Sequence, residues 1–262
     1  MEAVRNNNWK AVLEELPKRA PGGDVVIPLR DSARSRSFPV VNVGLISLSV
    51  LVFVRELSFS QSGLTRFLET YALNPARVAE AVVHLGQDPA GALPVAATLV
   101  SATFLHGGWT HLIGNMLYLY IFGDNVEDRL GHFRYLVFYL LAGAIGFLVH
   151  GLIVAPDQTP TIGASGAIAG VLGAYFVMFP RSRVLTLIFL GFFIQVIEIP
   201  SFIFLVVWFG LQLVNGLTSL SASGMAETVA WWAHVGGFAS GVLVGLFFRV
   251  RPRPRPTRDQ PW

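Results

Sequence analysis

The sequence predicts an all-α membrane protein, a bundle of six transmembrane helices with a long membrane-associated outer loop between the first and the second. Three observations lead there. Of 262 residues, 53% are hydrophobic and 13% charged, against roughly 25% charged in a soluble domain. The apolar residues are gathered into runs long enough to enter a bilayer. The basic residues gather in alternate connections, as the retention of Lys and Arg on the cytoplasmic side requires.

The elements follow in order. Residues 1–38 are polar and charged and lack the apolar core and small-residue cleavage site of a signal peptide. They are expected to form a cytoplasmic segment, with a short amphipathic helix around Trp9 to Leu16. The membrane domain covers 39–250. Its apolar runs are Pro39 to Val54, His111 to Val126, Phe133 to Val154, Ser165 to Phe179, Val184 to Leu220 and Val229 to Val250. The fifth run is broken by "QVIEIPS", where Glu198 and Pro200 argue against one long helix. Val184 to Ile199 is therefore read as an interfacial or extended piece and Ser201 to Gly216 as the fifth span. Several spans fall short of the ~20 residues that cross a bilayer core, so the lipid should thin or some helix ends should lie below the surface. Residues 56–110 contain "VAEAVVHL" and "PVAATLVSATFL", too apolar for a simple linker, and are expected in or on the outer leaflet. Residues 251–262 form a basic Arg/Pro-rich tail, expected to be extended and unpaired. With the N-terminus inside, only Arg55, Arg66 and Arg77 of the 19 Lys and Arg fall outside, which places both termini in the cytoplasm.

Within this topology Ser165 opens the fourth span from the outside, and His234 lies just inside the outer end of the sixth. His111 and Asn115 open the second, one turn apart on one face. Four polar side chains from three helices thus share one depth, where such groups are costly and mark a functional site or a wet cavity. Gly166, Gly170 and Ala174 recur at steps of four in span four, as do Gly237, Gly241 and Gly245 in span six. This small-xxx-small pattern permits close backbone approach and would bring the hydroxyl and the imidazole within reach. A histidine can take the serine proton as the oxygen attacks a carbonyl. The oxyanion then needs donors, which Asn115, His111 and the Ser165 N–H can supply. No carboxylate is evidently placed to orient His234, so a dyad is inferred. Taken singly, Ser165 reads first as a capping or packing residue, and His234 equally as a bonded interhelical histidine. The conjunction reverses that reading. His150 has no assigned role, and His84 and His132 read as solvent or headgroup contacts.

"HGGWTHLIGNMLYLYIFG", "VEDRLG", "GASGAIAG" and "AHVGGFASG" occur in that order over about 140 residues. In them the sequence resembles the rhomboid family of intramembrane serine proteases, and "IPLRD" before the first span looks like bacterial members. The resemblance implies a nucleophile at Ser165, a general base at His234, and an oxyanion hole of Asn115 and His111 shaped by the loop at Gly163. It implies a structural role for His106 and a polar cluster at Glu127 and Arg129 that ties helices together. It also implies single-span membrane protein substrates, cut near the outer face where small residues loosen a helix. The chain departs from the family pattern at Ala97 and Thr98, where many members carry a Trp-Arg pair. It departs again at Ala169, where some bacterial enzymes stack an aromatic ring on the catalytic histidine.

Two other readings stand beside the protease: a catalytically inactive rhomboid-like binder or escort of membrane proteins, and a transporter. The first usually lacks the serine or the histidine. Against the second, the polar residues cluster at one end and no acidic residue lies mid-span. There is no cysteine and no H-E-x-x-H pattern, so no cofactor or metal is expected. The expected partners are membrane protein substrates and the lipid bilayer, with no nucleic acid, and the expected location is a bacterial inner membrane.

Overall fold

The computed structural model describes residues 25–33, 35–190, 193–221 and 229–249. The helix expected at Trp9 to Leu16 and the Arg/Pro-rich tail lie outside the described residues. Each expected span is met by a helix: α1 (Val40–Leu57), α5 (Trp109–Leu130), α6 (His132–Val154), α7 (Ser165–Met178), α8 (Ser201–Ser221) and α9 (Trp231–Arg249). Between α1 and α5 run three shorter helices, α2 (Gln61–Tyr71), α3 (Pro75–His84) and α4 (Pro89–Ser101), each begun by a side-chain cap from Ser60, Asn74 or Asp88.

Length and composition let α1, α6, α8 and α9 cross a membrane unaided. The α4 segment and α5 meet that test only together, and they are bent by 86° at the break between them. This is a multi-pass integral membrane protein. Helix α7 has 14 residues, about 21 Å at ~1.5 Å per residue, well short of the ~30 Å hydrocarbon core. It can be short because it touches almost no lipid. Gly166 through Tyr175 are all buried, as an all-round apolar helix at the centre of a bundle should be. Around it pack the buried rings of Phe122, Tyr135 and Tyr139 with Leu119 and Leu205.

The chain is mostly helical but not all-α. The apolar run after α7 forms a hairpin of β2 (Arg183–Leu190) and β3 (Phe193–Pro200), and β1 (Val25–Asp31) adds to it as an antiparallel third strand, in the order β1-β2-β3. The extended reading of Val184 to Ile199 is thus met. The partner strand from the N-terminal segment is what the sequence reading left out. A bulge between Pro28 and Arg30 shifts the register, and beyond it Asp31 accepts hydrogen bonds from Asn125 Nδ2 (3.1 Å) and the Tyr175 hydroxyl. Burial pushes the Asp31 carboxyl above the ordinary aspartate range. The sheet closes the end of the bundle remote from Ser165.

On that same side Glu127, fully buried, accepts from the Val41 N–H (2.9 Å) and the Asn42 N–H (2.7 Å) and pairs with His132 Nδ1. The first N–H groups of α1 have no partner within their own helix, and this carboxylate supplies one. His132, read as a solvent or headgroup contact, is therefore half-exposed and bonded. Asn42 continues the network, donating to the Leu119 carbonyl (3.0 Å) and accepting from the Tyr135 hydroxyl (2.7 Å).

Candidate active site

Ser165 is the first residue of α7. Ala164 takes the capping position and makes no side-chain bond. The hydroxyl is therefore not consumed in starting its helix, and Ser165 is only partly buried between the buried Ala164 and Gly166. His234 lies in the first turn of α9 and is 8% exposed.

The glycines hold these two first turns together. A Cβ on Gly237 would collide with the Gly166 carbonyl, one on Gly241 with the Gly170 carbonyl, and one on Gly245 would lie 3.1 Å from the Ala174 carbonyl oxygen. The two stripes therefore face each other in one register. At the site end, the position of a Cβ on Gly166 is 3.6 Å from Ala233 Cβ. The neighbours Ser165 and His234 thus sit at the mouth of the tightest helix contact. Among the described residues no hydrogen bond joins their side chains, an open geometry common in unliganded active sites.

On the other flank stands His111. Gly163 has φ +129°, a conformation that suits glycine, and a Cβ there would lie 2.7 Å from His111 Cε1 and Nε2 and 3.8 Å from Ser165 Oγ. The imidazole thus occupies the space that a side chain at 163 would need. The Gly107 N–H points at His111 Nδ1 at 3.4 Å. A backbone N–H only donates, so Nδ1 accepts and the neutral ring carries its proton on Nε2, the atom facing Gly163. Asn115, one turn further along α5, is buried with its Nδ2 unpartnered.

The loop before α5 is braced from α1. Glu56 Oε2 accepts from the His106 N–H at 3.3 Å, the His106 ring donates to the Phe104 carbonyl at 3.2 Å, and the His106 and His111 rings meet steeply inclined, at 62°, with centroids 5.2 Å apart. The loop carrying Gly163 is pinned by the segment between α1 and α5: Leu73 and Thr161 exchange both backbone bonds, and the Gly163 N–H donates to the Ala102 carbonyl at 2.9 Å. Arg129 lies in the last turn of α5, with Glu127 at the far end of the bundle. His150 is buried on α6 with its Nδ1 unpartnered.

Sequence reasoning missed Glu56 in the brace, Trp208 and Trp231 beside His234, and the residue bonded to His234 itself. Gln212, buried on α8, places Oε1 2.7 Å from His234 Nδ1. No motif marks it, and it comes from a helix whose position the sequence fixes only coarsely.

A model of the rhomboid domain matches residues 95–251, more than half the chain. The chain belongs to the rhomboid family. Among the proteins it is similar to are RHOMBOID-like protein 4 of Arabidopsis thaliana, 33% identical over 59% of this chain and 34% of that one, and RHOMBOID-like protein 1 of the same plant, 28% identical over 82% and 52%. The mitochondrial presenilin-associated rhomboid-like protein of Pongo abelii is 29% identical over 61% and 39%. The chain thus spans between about a third and about half the length of these relatives. They are eukaryotic, so the likeness is to rhomboids at large rather than to bacterial members in particular.

In this rhomboid the two departures from the family pattern have a structural context. Ala97 and Thr98 lie on α4, where Thr98 Oγ1 bonds to the Val95 carbonyl of its own helix. Ala169 faces α9, its Cβ 3.4 Å from where a Cβ on Gly237 would be. A large ring there would meet the helix contact itself. His234 is flanked instead by Trp208 and Trp231, each with its ring centroid 6.0 Å away.

Proposed function

We propose that this rhomboid is an intramembrane serine endopeptidase that cuts single-span membrane proteins near the outer membrane face through an acyl-enzyme, with Ser165 and His234 as its dyad. The observation that carries the reading is a serine hydroxyl at the start of a buried helix, unspent on capping, beside the imidazole that fills the space over Gly163.

In the proposed course Ser165 Oγ bonds to the scissile carbonyl carbon while its proton passes to His234 Nε2. The carbonyl oxygen becomes an oxyanion and accepts from Asn115 Nδ2, His111 Nε2 and the Ser165 N–H. Breaking the C–N bond sends the proton from His234 to the leaving amine and leaves an ester on Ser165. Water from the outer side then adds to the ester, gives one proton to His234, and the acid departs as that proton returns to Ser165. The scheme uses the chain's own side chains, one backbone N–H and water. His106 and Gly163 hold the loops that bear these groups, Glu127 and Arg129 belong to the remote end, and Gly166, Gly170, Gly237 and Gly241 set the separation of the dyad.

The test is reconstitution of the purified chain with a single-span model substrate, beside Ser165→Ala and His234→Ala. Loss of at least about 10³-fold in turnover is expected from either change. Undiminished cleavage by either variant would sink the dyad. Solute flux retained by Ser165→Ala would point to a transporter, and binding of the substrate without turnover to an escort.

A further inference from the structure

The partner of His234 Nδ1 is an amide, and its own hydrogen bonds fix which way round it sits. Gln212 Nε2 donates to the Trp208 carbonyl one turn back at 3.1 Å. An amide nitrogen only donates and a carbonyl only accepts, so the Gln212 side chain cannot be reversed without setting two oxygens against each other. That leaves Oε1 directed at His234 Nδ1, 2.7 Å away. An oxygen acceptor requires the hydrogen to be on Nδ1. Neutral imidazole has one N–H, so Nε2 keeps its lone pair. Both Gln212 and His234 are buried, at 7% and 8% exposure, which shields the bond from competing water.

We propose that Gln212 is the positioning residue for His234. Its amide, fixed by the Trp208 carbonyl, holds the imidazole in the one tautomer and ring orientation that leave Nε2 free to take the Ser165 proton, so the site works as Ser165-His234-Gln212. The inference rests on the reading of Ser165 and His234 as the dyad. A neutral amide suits the depth: an ionised carboxylate there would be costly to desolvate while the histidine is neutral. During proton transfer the Nδ1–H···Oε1 bond strengthens as the ring becomes cationic, with no second proton moved. Trp208 lies tilted at 35° and Trp231 perpendicular at 88° to the ring, and Gln212 fixes its rotation beside them.

The experiment measures kcat and KM for cleavage of a single-span substrate by the reconstituted full chain and its Gln212→Met and Gln212→Glu variants, with Ser165→Ala alongside, and reads the His234 tautomer of the resting chain by nitrogen-15 NMR. Gln212→Met keeps the length but removes the acceptor, and kcat is expected to fall about 10- to 100-fold, the scale of a misoriented catalytic group, with KM little changed. Gln212→Glu keeps an oxygen acceptor for the Nδ1–H in either state of its carboxyl, so its kcat should recover toward wild type, a rescue that a merely structural glutamine would not require. The resting chain should carry the His234 proton on Nδ1. Wild-type kcat in Gln212→Met, no recovery in Gln212→Glu, or a His234 proton found on Nε2 overturns the inference. Should Gln212→Met fail to fold, the position of the His234 proton decides alone. Undiminished cleavage by Ser165→Ala in the same assay would instead remove the dyad reading beneath it.

Discussion

A donor buried without a partner costs about 1–3 kcal/mol, and the Asn115 Nδ2 group is one. It lies one helical turn from His111, whose Nε2 faces Gly163 and Ser165. In the proposed reaction an oxyanion formed at Ser165 would offer Asn115 Nδ2 the acceptor it lacks among the described residues, and His111 Nε2 a second donor's place beside it. Asn115→Ala is therefore expected to lower kcat by about 10²- to 10³-fold, the usual effect of removing one such donor. KM should stay near its wild-type value and thermal stability in detergent should be kept or slightly raised. Unchanged kcat would remove Asn115 from the reaction. At this scale the sequence was informative where motif and depth coincide, as for Ser165, His234, His111 and Asn115. It was silent on Gln212. That residue is recruited from α8 by a contact between helices, and nothing in a single helix's periodicity records which of its polar residues will meet a histidine 22 residues later.

The α7–α9 contact is the element on which the site geometry depends, and its tolerance is set by backbone meeting backbone. A Cβ on Gly237 would strike the Gly166 carbonyl, which cannot swing aside as a side chain can. Gly237→Ala is expected to destabilise the protein by about 1–3 kcal/mol, the range for overpacking, and to reduce turnover by parting Ser165 from His234. Gly210→Ala on α8, where a Cβ would meet nothing within 4 Å, should leave the melting temperature unchanged or higher. Equal melting temperatures for the two variants would refute the contact. The helices and the glycine stripes were legible because each is a local pattern, a hydrophobic run or a four-residue step. The sheet was only half legible. An apolar run such as "VLTLIFLGFFIQVIEIP" does not by itself distinguish strand from helix, and Pro200 and Glu198 spoke only against one long helix. That Val26 would pair with Ile188 depends on contact across more than 160 residues. Likewise the buried carboxylate of Glu127, read as part of a polar cluster, caps α1 from α5, a partnership between two helices that neither helix's sequence shows alone.

The molecule as a whole is polarised. Ser165 opens the central helix at one end, and the sheet follows that helix at the other, with Arg30, Arg181 and Arg183 exposed around it. Between the two ends the helices present Leu51, Leu141, Leu211 and Leu243 outward, a belt suited to lipid tails. Basic residues resist translocation, so the sheet end should face the cytoplasm and the Ser165 end the outside, where hydrolytic water would enter. These 262 residues contain no cysteine, so single cysteines introduced into them report sidedness without further engineering. Ser62 on α2 and Glu198 on β3 are both exposed and lie toward opposite ends. In intact bacterial cells expressing each variant, a membrane-impermeant maleimide should label Ser62→Cys at once and Glu198→Cys only after lysis. The reverse pattern would invert the topology, and substrate cleavage would then have to be sought on the cytoplasmic side of the membrane.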